Sequence, residues 1–276
     1  MKPLWERKLR MVWEIRKDGL TNFLVGTAHF FPCSFRKSLT QLIHKVETVL
    51  FEGPLDESNM DAVRQYGLEG WQGPSLYDAL DQKAIREINK EIMNRTDVSR
   101  ASFASYVDIF QSGKKDLLLS EIEGLRPWMA FFSLWSQYLV RRGWKYSVDL
   151  EALSVAKELG KKVVFLETIE EQLEALDGIP FDRIVNYLNK FDMWGRFSNN
   201  HKKKYLKGSL DALLTITTEF PARCPSIIEN RDPVFFRRMG PYIDAGGAAV
   251  FLGTTHIRGV ATMLEKDGFT VTQFQQ

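Results

Sequence analysis

Residues 23–30 read FLVGTAHF, and residues 248–271 read AAVFLGTTHIRGVATMLEKDGFTV. Each stretch opens on an apolar run and then passes through Gly-Thr-x-His. A short apolar run closed by glycine reads as a buried strand. After His256, the residues Val260, Met263 and Leu264 recur at helical spacing, Gly268 marks a turn, and 269–274 reads as a strand. After His29, Ser34 stands where a helix cap belongs. Leu39, Leu42, Ile43, Val46 and Leu50 then keep helical spacing over about 36–49. Val49-Leu50-Phe51 reads as a short strand that ends at Glu52. Strand, histidine turn, helix and strand therefore occur twice, at opposite ends of the chain. This echo predicts an α/β fold in which two βαβ-like halves build a single sheet.

Outward from these motifs, the apolar runs 11–15 and 20–25 flank Asp18-Gly19, which is a hairpin signal. The middle, about 56–142, lacks strand alternation and reads as a mainly helical insertion within one domain spanning 1–276. Pro74, Gly113 and Pro127 punctuate it. Leu150, Leu153, Ala156 and Leu159 suggest another helix, ended by Gly160; 162–166 then reads as a strand with Glu167 at its end. Thr168 with Glu171 matches a capping box for the next helix.

The 276 residues carry 37 basic and 35 acidic side chains, a net charge of +2. That balance gives no field for nucleic acid or an anionic membrane. The run from His201 to Lys204 reads as a solvated face, and His44 and His201 as surface residues. Cys33 and Cys224 read as reduced thiols, since two cysteines make neither a disulfide framework nor a cysteine-rich metal site. The longest apolar stretch, 128–140, is interrupted by Ser133, Ser136 and Gln137 and is too short to span a bilayer. The first ten residues lack an apolar signal core, so the expected location is cytoplasmic, or periplasmic or extracellular if a signal has been removed.

Ligands in open α/β sheets gather at the carboxyl ends of the strands. His29, His256, Glu52 and Glu167 all fall at such ends. Two imidazoles with carboxylates suit a divalent metal with an open position, whose bound water is a nucleophile. The same groups suit metal-free acid–base work, and each carboxylate also reads as a helix-cap or ion-pair group. There is no HExxH motif and no Gly-x-Ser-x-Gly elbow, which argues against ordinary zincins and α/β-hydrolases.

The ordered set of motifs resembles the TraB/GumN family, which includes the pheromone-shutdown proteins and is related to the Tiki metallopeptidases. The matching stretches are FLVGTAHF, VLFEG at 49–53, RPW at 126–128, and VDLEALSVAKELGKKVVFLETIEEQLEALDGIP at 148–180. ENRDPVFFRRM at 229–239 and the closing stretch from 248 complete it. The central block is similar to the bacterial GumN-type branch, although Phe165 stands where that branch often has glycine. The resemblance implies that the two half-motifs converge, with His29, Glu52, Arg231 and His256 at the centre. It implies Mn²⁺ or Co²⁺, with Zn²⁺ as an alternative, held by His29, His256 and Glu52. Glu167 is then the expected general base. Arg231 is expected to face a carboxylate or the substrate. Two functions follow from the resemblance: a metal-dependent hydrolase acting on peptides or small molecules, or a protein that binds and sequesters peptides.

Overall fold

The protein is described by a computed structural model over residues 7–68, 70–93 and 117–274. β1 (Val12–Lys17) and β2 (Leu20–Thr27) form the expected hairpin. Asp18 and Gly19 both take positive φ, 51° and 80°, as a two-residue turn matching strand twist requires. β2 runs further than the apolar run predicts, through Gly26 and Thr27, because Thr27 pairs in parallel with Gly253. The first Gly-Thr of the motif is thus strand, and only the histidine lies beyond it.

α1 (Arg36–Ile43) is shorter than the apolar spacing predicts. Its start is held by Ser34, whose hydroxyl accepts from the Arg36 amide at 3.1 Å. Residues 44–47 leave the helix because the Glu47 amide donates to the Gly247 carbonyl at 2.8 Å, which launches β3 (Thr48–Phe51). The insertion follows as α2 (Glu57–Leu68), α3 (Leu76–Ala79), α4 (Gln82–Met93), α5 (Leu117–Ile122) and α6 (Pro127–Arg141), with no strand among its described residues. Gly113, expected to punctuate it, lies outside the described residues. α7 (Val148–Glu158) leads into β4 (Lys162–Phe165), and α8 (Ile169–Asp177) starts on the capping box of Thr168 and Glu171. A second helical stretch follows: α9 (Phe181–Leu188), α10 (Trp194–Lys207), α11 (Leu210–Ile216) and α12 (Asp232–Ile243). The chain then returns to the sheet with β5 (Ala248–Gly253), α13 (Ile257–Lys266) and β6 (Thr270–Gln273).

The six strands form one mixed sheet in the order β4-β3-β5-β2-β1-β6. β2, β3, β4 and β5 are mutually parallel, while β1 is antiparallel to both its neighbours. Parallel strands covered on both faces read as continuous apolar runs, which is why AAVFL carries no polar alternation. Side chains nevertheless divide by parity. Phe23, Val25, Val49, Phe51, Ala249 and Phe251 join the larger core, under α1, α7 and the insertion. Leu24, Leu50, Val250 and Leu252 join a second core with Phe235 and Met239 of α12 and Val260 and Leu264 of α13. The result is an α/β fold with helices on both faces of the sheet. No helix among the described residues is long and apolar enough to cross a membrane.

Candidate active site

The parallel strands deliver their carboxyl ends to one edge. Phe51 is in register with both Phe251 and Phe165, and Thr27 with Gly253. Glu52 therefore emerges beside Gly253, and the Glu167 amide donates to the Glu52 carbonyl at 2.8 Å. His29 and His256 follow on the turns after β2 and β5. The two motifs also touch directly, since the Thr254 amide donates to the Thr27 carbonyl at 3.3 Å.

Arg231, the last residue before α12, closes this edge with its guanidinium. Its Nε and Nη2 donate to the two Glu167 oxygens at 2.9 and 2.6 Å, and Nη2 also donates to Glu52 Oε2 at 2.9 Å. The other Glu52 oxygen accepts from the Gly253 amide. Burial works against the Glu52 charge, but His256, Arg231, His29 and that amide outweigh it and hold the carboxyl at about 2. Burial pushes the Glu167 carboxyl above its usual range, against the pull of Arg231. The forked geometry suits the ionised form of Glu167, because both its oxygens accept. Arg231 is itself shifted up: burial opposes its charge, and the two glutamates more than compensate.

Each histidine is turned by a buried aspartate. His256 is buried, and its Nδ1 lies 2.6 Å from Asp232 Oδ1. That leaves Nε2 facing Glu52 Oε1 at 3.7 Å. The Phe235 ring packs nearly perpendicular to the same imidazole. His29 Nδ1 lies 3.0 Å from Asp149 Oδ2, an ion pair whose angle falls short of a hydrogen bond. Burial in the recess lowers the His29 pKa, but Asp149, with help from Glu52, outweighs it and carries it up to about 9. Because 68% of the side chain remains open to the recess, the charge of Asp149 governs the sign more than burial does.

His29, Glu52, Arg231 and His256 line one recess of about 290 Å³. Its wall is aromatic, including Phe132, Trp135, Trp144, Tyr187 and Phe220. Glu167 lies behind Arg231. His201 also lines the recess, which corrects the expectation of a surface residue. Burial lowers its pKa to about 4. The signal was present in the sequence: Trp194, Ser198, His201 and Tyr205 recur at helical spacing, and Trp194 and Tyr205 are fully buried. The neighbouring lysines concealed it. His44 is exposed, as expected. Asp149 and Asp232 were missed altogether. Asp149 sits in the first turn of α7, beside its cap Ser147, and Asp232 in the first turn of α12. Neither helix start indicates which histidine it will meet.

The expected ligand trio fits a divalent metal only in part. A metal-binding imidazole commonly gives its other nitrogen to a carboxylate; His256 does so with Asp232, and His29 stands against Asp149 in an ion pair. Glu52 fits poorly, because the Arg231 guanidinium on its Oε2 would set a fixed positive charge beside the ion, and its Oε1 already accepts from the Gly253 amide. Among the described residues, no group of three or more His, Cys, Asp or Glu side chains is placed to share an ion.

Paired Gly-Thr-x-His turns around an arginine–carboxylate clamp, on an α/β sheet, define the class of this protein. The chain belongs to the TraB/PrgY/gumN family, whose sequence profile matches residues 11–273, nearly its whole length. No curated protein matches it.

Proposed function

We propose that the recess binds a peptide and that His29 and His256 hydrolyse one of its amide bonds. The observation that carries this reading is the pairing of each imidazole with its own buried aspartate, both facing one recess. An aspartate on Nδ1 fixes the tautomer and leaves Nε2 for proton transfer. In the forward step, His256 Nε2 takes a proton from water as the water oxygen bonds to the amide carbon. His29, charged through Asp149, gives its Nε2 proton to the leaving nitrogen as the carbon–nitrogen bond breaks. The products are a carboxylic acid and an amine, and the proton gained by His256 returns to His29 through solvent. Glu52, Arg231 and Glu167 then form a positioning unit. The clamp on Glu167 removes it from the role of free general base.

No step is routed through a metal, because the Arg231 charge sits against Glu52. Mn²⁺, Co²⁺ and Zn²⁺ enter as arms of the test. A peptide library is incubated with chelator-treated protein and with each ion, for wild type, His29→Ala, Glu52→Gln and His256→Ala. Fragments from chelated wild type, lost in both histidine variants, support the reading. Fragments only with an added ion mean that Glu52 leaves Arg231 to ligate, and the metal-free step is wrong. A second reading, a protein that retains intact peptides, is favoured by the aromatic wall and the closed Glu52–Arg231 pair. Retention without fragments under every condition selects it.

A further inference from the structure

Among the described residues that line the recess, one cation has no ion-pair partner. His29 is matched by Asp149 at 3.0 Å, Glu52 by Arg231 at 2.9 Å, Glu219 by Lys190 at 2.6 Å and His256 by Asp232 at 2.6 Å. Arg223 also lines the recess, half-buried in the loop between α11 and α12. Among the described residues its guanidinium has no ion pair and no hydrogen bond. Glu229 and Asp232 attract it only through space, and Arg258 and Arg183 repel it. Asp232 is already spent on His256.

An arginine keeps its charge even when partly buried, so a guanidinium in this position favours an anion as partner. Its planar fork matches a carboxylate. The surrounding aromatic wall lowers the local dielectric and strengthens such a pair. The same wall, with Trp135, Trp144 and Phe220, offers a large apolar side chain a place to stack. A carboxylate and a large apolar group on one carbon describe the last residue of a peptide.

We propose that Arg223 anchors the α-carboxylate of a peptide's C-terminal residue, with that residue's aromatic side chain against Trp135, Trp144 and Phe220. The bond to be cut rests on the hydrolase reading above; the binding does not. An acid-ended substrate would be held at its end, and an amidated or extended peptide would lose the anchor.

The probes are alanyl-alanyl-phenylalanine, its C-terminal amide, and alanyl-alanyl-glycine. Affinities are measured by calorimetry in wild type and in His256→Ala, which cannot consume the probe. The phenylalanine acid should bind about tenfold or more tighter than its amide, one charge-assisted fork being worth at least that. It should also bind about tenfold tighter than the glycine acid, given the apolar area gained. Arg223→Gln should bring the acid down to the amide's affinity and leave the amide unchanged, a comparison that also controls for folding. Arg223→Lys should restore part of the preference. Equal binding of acid and amide, an acid preference that survives Arg223→Gln, or no binding at millimolar probe overturns the proposal. Acid-selective binding without any cleavage leaves it standing and removes the hydrolase reading alone.

Discussion

Arg231 lies between two carboxylates whose side chains are 13% and 2% exposed, and its removal would leave Glu167 without its ion-pair partner and take one of the charges that hold Glu52. Breaking a buried ion pair from one side costs about 3–5 kcal/mol, because the orphaned charge remains in low dielectric. Arg231→Met is therefore expected to lose about that much stability in urea unfolding. Arg231→Lys should recover only part of it, since an ammonium cannot fork across Glu167 and reach Glu52 together. A loss under about 1 kcal/mol, the worth of an exposed pair, would show that water already screens the clamp. His29 gives a pH prediction for metal-free protein. Its pKa is raised from 6.5 to about 9, so its pairing with Asp149 stabilises the fold fully below about 6.5 and is lost as pH rises through 9. The imidazole is largely open, so solvent screening keeps this contribution small. An NMR titration of the His29 ring proton should show a midpoint well above 6.5, moving down in Asp149→Asn. An unchanged midpoint in that variant would disconnect the pair.

At the scale of elements, α12 and α13 meet at Gly259, where a Cβ would collide with the Asp232 carboxylate. Gly259→Ala should therefore turn Asp232 aside and release His256. The helix itself gains up to about 1 kcal/mol from the replacement, so global stability should change little. Loss of the downfield His256 Nδ1 proton signal, with a near-unchanged unfolding midpoint, is the expected result; retention of that signal refutes the coupling. Asn22 joins the two halves of the sheet. It is fully buried, donates to the Ile243 carbonyl at 2.9 Å and accepts from the Ala248 amide at 2.9 Å. Asn22→Leu would orphan the Ala248 amide and leave the Ile243 carbonyl only its bond from the Gly246 amide, so it should cost about 1–3 kcal/mol in chemical denaturation. Such bridges mark what the sequence could not disclose. The Asp18-Gly19 turn, the Thr168 capping box and the histidine turns were legible because their signals lie within a few residues. Glu52 was legible as a strand end. Its partner Arg231 came from resemblance to a family, and Asp232, its neighbour in sequence, went unnoticed. A helix start looks the same whether its aspartate faces water or an imidazole.

For the whole molecule, β5 lies between β2 and β3, so the centre of the sheet comes from a segment far along the chain. Strand order of this kind leaves no trace in local periodicity, which is why two βαβ-like halves were foreseen but not their interleaving. A fragment of residues 7–247 keeps β1 to β4 but lacks the strand that joins the β1–β2 hairpin to β3 and β4. It should unfold without a cooperative transition, and a sharp two-state urea curve from it would show that the insertion and hairpin cohere alone. The same placement bears on synthesis at the ribosome. Until β5 has been made, β2 and β3 each keep an unpaired edge, and bare strand edges invite pairing with other chains. Only when β5 leaves the exit tunnel can both edges close, and that strand carries the second histidine turn with it. A nascent chain of this protein thus carries two open strand edges until the gap in the sheet is filled.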